Sequence, residues 1–225
     1  MLLQLSLTAF LLTFCHLSNA QVPFPNHCPE VKIKQDFQLD DYMGIWYEYA
    51  KYPFVFEIGK KCMYARYENI GDNMVSVVNA AINRITGESS NVTGKAKVIS
   101  SGALAVVFPR SGNQNFDKPN YLVLDTDYTS FVVVYSCSNF TPVAHTKIVW
   151  ILTRERKPSE ETIAAAKKVV ADNNLPQTLL METIQNGCPE LNTNREDSSG
   201  SANLPEETTT NLDELTTTNN IIDKA

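Results

Sequence analysis

The chain has 225 residues with 19 basic and 25 acidic side chains, for a formal net charge of −6. No surplus of Lys and Arg marks it for a phosphate backbone, so nucleic acid is excluded as a partner. Beyond residue 20 no stretch stays apolar over the roughly 20 residues that a helix needs to cross a bilayer, so the chain after that point reads as soluble.

Residues 1–20 read as a secretory signal. Leu2 to Phe14 is apolar, and Ser18-Asn19-Ala20 puts small residues where cleavage after Ala20 needs them. The absence of Lys and Arg from Met1 to Ser6 departs from the usual pattern. Four cysteines remain: Cys28, Cys62, Cys137 and Cys188. An even count in a secreted chain predicts two disulfides, and spacing alone leaves three pairings open. No close Cys pair of the kind zinc sites use is present, so neither a metal nor a cofactor is expected.

The next part reads as eight short strands. The first runs Tyr42 to Lys51, after Asp40-Asp41, which reads as a solvated turn. Cys62 to Ile70 and Met74 to Ile82 flank a tight turn at Gly71-Asp72-Asn73. Asn91 to Ser100 and Ala103 to Phe108 make a hairpin around Ser101-Gly102. A polar loop, Pro109 to Asn120, leads to Tyr121 to Thr126. Ser130 to Ser138 and His145 to Arg154 close the series. In the fifth strand Leu104, Val106 and Phe108 share one face. Phe131 to Tyr135 is apolar on both faces, so one side needs a cover. The predicted helix Ser159 to Asn173 supplies it: Ser159 can cap it, and Ile163, Ala166 and Val170 form an apolar stripe. Asn91-Val92-Thr93 and Asn139-Phe140-Thr141 are glycosylation acceptors. Pro142 disfavours the second, so Asn91 is the stronger site.

From Thr193 the composition changes. Seven acids stand against Arg195 and Lys224, among repeated Thr triplets and few apolar residues. Such a segment cannot offset its ordering entropy and is expected to be disordered. The domain itself is therefore residues 21–192, and residues 193–225 are an acidic Thr-rich tail. Strands followed by one helix mean a sandwich or a barrel. A closed eight-stranded barrel is either packed solid or holds one small ligand, and periodicity does not choose between these.

Three blocks carry a resemblance that does choose. Tyr42-Met43-Gly44-Ile45-Trp46-Tyr47-Glu48-Tyr49 comes first. Tyr121 to Tyr128, with Thr126-Asp127-Tyr128, and Ile148 to Arg154 follow, and the four cysteines accompany them. In these the chain resembles the lipocalins of the apolipoprotein D group, and especially its insect Lazarillo branch, from about Val22 to Pro189. The resemblance implies an all-β fold: an eight-stranded antiparallel up-and-down β-barrel, the lipocalin calyx, with one C-terminal α-helix packed outside. It implies the pairs Cys28–Cys137 and Cys62–Cys188. It makes Gly44, Trp46, Thr126, Asp127, Tyr128 and Arg154 structural residues of the closed end, with Arg154 lying across Trp46. It places Tyr67, Asn79, Phe108 and Trp150 at the pocket, and Val106 shares the face of Phe108. The competing reading is that these side chains fill a solid core.

Functionally, the resemblance implies a secreted, extracellular carrier of a small hydrophobic ligand: a retinoid, sterol, fatty acid or hydrocarbon. It also implies roles in lipid handling, stress response and the nervous system, and it names no receptor. Phe54 and Phe56 fall in an aromatic loop at the mouth, as a lid or a transient contact with membranes or lipoprotein particles; ordinary loop packing is the competing reading. The alternative function is an extracellular signalling or adhesion protein that acts through its surface or tail, the cavity being incidental. An enzyme is not expected. His27 and His145 lack a patterned partner and read as surface or strand-end residues. No cysteine is left over as a pocket nucleophile. Lipid-hydroperoxide reduction, linked to apolipoprotein D itself through a methionine in its mouth loop, is not implied for this chain, because Pro109 to Asn120 contains no Met.

Overall fold

The period-two runs of the sequence become the staves of one closed sheet. The structure, a computed structural model, describes residues 23–54, 57–109 and 115–191. The signal segment, Phe56 and the tail 193–225 lie outside the described residues. The chain divides into two units, Met1–Cys188 and Pro189–Ala225, and the fold concerns the first.

In chain order the strands are β1 (Pro23–Pro25), β2 (Gly44–Lys51), β3 (Lys60–Asn69), β4 (Met74–Asn83), β5 (Ser89–Ser100), β6 (Ala103–Val107), β7 (Tyr121–Thr126), β8 (Phe131–Thr141), β9 (Ala144–Thr153) and β10 (Met181–Glu182). Helix α1 (Leu39–Tyr42) precedes β2, and α2 (Glu160–Asp172) follows β9. From β2 to β9 each strand pairs antiparallel with the next, and β9 closes on β2 through Tyr47↔Thr153 and Glu48↔Leu152. Closure leaves the eight-stranded barrel without an open edge. This is the predicted architecture, with differences at its margins. Tyr42, Asp40 and Asp41 belong to the one-turn helix α1 rather than to a strand and a turn.

Two short strands go beyond the eight expected. β1 lies on β9 (Phe24↔His145), and β10 lies on β2 (Met181↔Lys51). Neither carries a periodic signal, at three and two residues. Each lies near a covalent tether instead. Cys28 is bonded to Cys137 and Cys62 to Cys188, across 109 and 126 residues of sequence. Loops this long are closed at a gain of roughly 2–5 kcal/mol per disulfide. The second tether has a further effect. β2 pairs with β3 only from Gly44 to Tyr47. Beyond that point residues 181–185 line the gap: Thr183 N donates to Tyr49 O, Cys62 N to Ile184 O, and Gln185 Nε2 to both Glu48 O and Met63 O.

The alternation on β8 sorts two cores. Val132 and Val134 face the interior with Trp46, Tyr67, Val77, Leu104 and Val123. Phe131, Val133 and Tyr135 face outward and are covered with Ala166 and Val170 of α2, both fully buried. Ser159 Oγ accepts from Thr162 N at 3.1 Å and caps the helix as its sequence predicts.

Candidate functional site

The barrel interior is packed with side chains at one end and holds a cavity of about 580 Å3. Tyr67 on β3, Asn79 on β4, Val106 on β6, Phe108 just after β6 and Trp150 on β9 all line it. Strand register explains why. Tyr67 sits opposite Val77, and Asn79 opposite Ala65, so all four share the inner face of the β3–β4 pair. Phe108 depends on a neighbour: a Cβ on Gly94 would stand 2.5 Å from Phe108 Cδ1 and 2.6 Å from Val107 O. Only glycine at 94 lets that ring lie against β5.

The floor of the cavity is a set of phenols. Tyr121 Oη lies 2.6 Å from Tyr42 Oη and 2.9 Å from Tyr67 Oη. Burial pushes all three phenols up, so they stay neutral and each hydroxyl can both donate and accept. Tyr121 was absent from the residues expected at the pocket. Its signal was available: Tyr121 and Val123 alternate with Leu122 and Leu124, and the first pair faces inward with the interior core.

Below the phenols the chain seals the barrel. Arg154 lies 3.7 Å over the Trp46 ring. Its guanidinium donates to Tyr128 O, Ile45 O and Asp41 O at 2.9–3.0 Å. Trp46 Nε1 donates to Tyr42 O at 2.8 Å. Gly44 has φ +96°, and a Cβ there would meet Arg154 Nη1 at 3.3 Å, so the glycine gives the arginine its place. Asp127 Oδ1 accepts from the backbone N–H groups of Thr129, Ser130 and Phe131. Thr126 Oγ1 accepts from Tyr128 N and donates to Phe131 O. These residues build the end of the barrel and do not line the cavity.

Toward the mouth the wall is charged, which the sequence did not lead us to expect. Lys51 Nζ is 2.5 Å from Glu48 Oε1, ion-paired to Glu57 Oε2, and 3.3 Å from Met63 Sδ. Thr183 Oγ1 donates to Glu48 Oε1 at 2.5 Å. Glu48, Glu57 and Lys60 line the cavity. Burial works against the charge of Lys51, but Glu48 and Glu57 outweigh it and raise its pKa. Burial, with the nearby charge of Glu48, pushes Glu57 up to about 7.

Of the two mouth-loop phenylalanines, Phe54 is half-buried and lines the cavity, its ring edge-on to Trp150 with centroids 6.5 Å apart; Phe56 lies outside the described residues. Asn91 is exposed on β5 and also borders the cavity. Asn139 is exposed on β8, where its Oδ1 accepts from Cys28 N at 2.8 Å. His145 takes the strand-end place and not the surface one: near the start of β9 it is 3% exposed, stacked on Phe24, with Nδ1 2.8 Å from Asn26 O.

Comparison with known proteins agrees with this geometry. The family model described as a lipocalin-like domain matches residues 37–185. Apolipoprotein D of Cavia porcellus is 34% identical over 172 residues, covering 73% of this chain and 85% of that one. The Lazarillo protein of Schistocerca americana is 36% identical over 165 residues, covering 71% and 74%. Among solved structures, insecticyanin from the tobacco hornworm Manduca sexta superposes with a TM-score of 0.61 at 25% identity, covering 72% of this chain and 88% of that one.

Proposed function

Because this chain belongs to the lipocalin family, similar to apolipoprotein D and to Lazarillo, we propose that it is an extracellular carrier of one small hydrophobic molecule held in the barrel cavity. The observation that carries the reading is the cavity itself. A space of about 580 Å3 lies within the range of small-molecule sites, roughly 300–1,000 Å3. Its lining is apolar through Val77, Val106, Phe108, Ile148, Trp150 and Leu152, with a few polar groups among them. Burial of the ligand's apolar area supplies the affinity, at about 25 cal/mol per Å2. Tyr67, Tyr121 and Asn79 are the polar handles that fix its orientation. Phe54, against Trp150, is the side chain that covers the ligand from the mouth.

Binding needs no covalent step. All four cysteines among the described residues are in disulfides, so thiol-based isomerisation has no nucleophile among them. Retinoids, sterols, fatty acids and long hydrocarbons all fall within the class. Loading and release belong at a lipid or lipoprotein surface in this reading. The connections β2–β3, β4–β5 and β8–β9 leave at one end of the barrel, and each shows water an aliphatic side chain: Ile58 is 76% exposed, Ile85 92% and Val143 73%. Roles in lipid handling, stress response and the nervous system are extended from the resemblance to the Lazarillo branch. The first test is native mass spectrometry of the full chain secreted from cultured cells. A co-purifying lipid, lost on organic extraction and restored by adding it back, is the expected outcome. A chain that emerges empty and stays empty with every candidate would remove the carrier reading in favour of one acting through the surface.

A further inference from the structure

Most of the cavity wall is the ordinary lining of an apolar pocket, and the Glu48–Lys51–Glu57 group is not. We infer that this group reads the head of the ligand, and that the cavity selects long-chain amphiphiles whose head donates hydrogen bonds, an amine or an alcohol, over those ending in a carboxylate. The inference rests on the carrier reading and narrows it. Two carboxylates flank one ammonium in this cluster, each through one oxygen. All three donors of Lys51 are already directed, to Glu48 Oε1, to Glu57 Oε2 and to Met63 Sδ, so Lys51 has none to offer an acid. Glu48 Oε1 takes a second donor from Thr183. The remaining carboxylate lone pairs are acceptors, and Glu48 and Glu57 both line the cavity. Glu57 Oε2 is buried and already ion-paired to Lys51, so a head meets the carboxylate lone pairs that Lys51 and Thr183 leave over, and the site has acceptor capacity in excess of its donors. A head that donates completes it; a head that only accepts adds a like charge in a poorly hydrated wall.

Position supports the same assignment. The phenols lie at the closed end of the cavity, Glu48 on β2 and Glu57 in the β2–β3 connection, so a chain with its tail against Tyr67 passes Trp150 and brings its head to Glu57. Lys60 lines the same region and its charge favours the ionised form of Glu57. It is the cation to which an acidic head would have to turn.

The test uses one alkyl chain with three heads. Hexadecylamine, hexadecanol and hexadecanoic acid are titrated into the full oxidised protein, following tryptophan quenching. The expected result at about pH 7.5 is amine and alcohol binding tighter than acid, the amine by roughly tenfold, the scale of one charge-assisted hydrogen bond. Glu57→Gln reduces that preference. The wild type provides a second readout that needs no variant. An alkylamine, like a lysine ammonium, titrates near about 10.4, and an alcohol does not titrate. The ratio of amine to alcohol affinity should therefore rise between about pH 6 and 8 in step with ionisation of Glu57, whose pKa is about 7. Acid bound as well as or better than the others overturns the inference and leaves the carrier standing with Lys60 as its anchor. So does a preference indifferent to pH and to Glu57→Gln. If none of the three binds, this inference falls, and the carrier reading is left to the retinoid and sterol titrations.

Discussion

Single residues show most directly how the chain separates structure from binding. Arg154 stacks on Trp46 and donates to three carbonyls from three segments. Replacing it with Ala removes a cation–π contact and three charge-assisted bonds, and should lower unfolding free energy by about 2–4 kcal/mol. Ligand affinity of the folded fraction should not change, because neither residue lines the cavity; denaturant melts alongside ligand titrations check both. Asp127 makes a pH-dependent contribution. Burial pushes its pKa up, but the Ser130 hydroxyl and the N–H groups of Phe131, Ser130 and Thr129 outweigh this and hold the carboxyl below its ordinary value of 3.8. A depressed carboxylate stabilises the fold above its unfolded pKa, and the contribution is lost as pH falls through the folded value. Asp127→Ala should therefore cost about 1–2 kcal/mol near pH 7 at this exposed turn, and the gap between variant and wild type should close as pH falls below 3.8. Glu57 has the opposite sign. Its native pKa of about 7 exceeds the ordinary 4.5, so stability falls as pH rises between those values, and Glu57→Gln should flatten that part of the curve.

At the scale of elements, the strand alternation carried most of what could be read. The two faces of β8, the inward face of β6 and the capped helix α2 all follow from period and punctuation. The inward turn of Lys51 was not legible, and a single irregularity explains it. Strict alternation from Trp46 turns Glu48 and Ala50 inward and Lys51 outward. The pairing of β2 with β9 shifts between Glu48 and Ala50, so Lys51 turns back toward Glu48. Residue counting cannot see a bulge. The strands β1 and β10 were hidden for a different reason, since tethers and neighbouring backbone, not their own residues, hold them. The pocket residues Tyr67, Asn79 and Trp150 were legible only through the family resemblance, because an inward aromatic reads the same in a solid core. One element-level prediction follows from β5. Gly94→Ala forces either the Phe108 ring or the backbone of β6 to move. It should destabilise by about 1–3 kcal/mol and alter ligand affinity. Phe108→Leu in the same background should recover part of the stability, as a double-mutant cycle would show.

Among the described residues the barrel is packed with side chains at one end and hollow at the other, with the two tryptophans divided between them. Trp46 is fully buried in the closed end beneath Arg154, and Trp150 lines the cavity beside Phe54. The chain has two tryptophans in all, so fluorescence reports each half once the other is replaced. The decisive measurement is a ligand titration of the oxidised protein followed by intrinsic emission, in the wild type and in Trp150→Phe, with a retinoid, a sterol and a long-chain alcohol. Saturable quenching in the wild type that is lost in Trp150→Phe is the predicted result, and it puts the ligand in the cavity. Quenching that survives undiminished in Trp150→Phe, or none with any ligand, would contradict a carrier that works through this cavity.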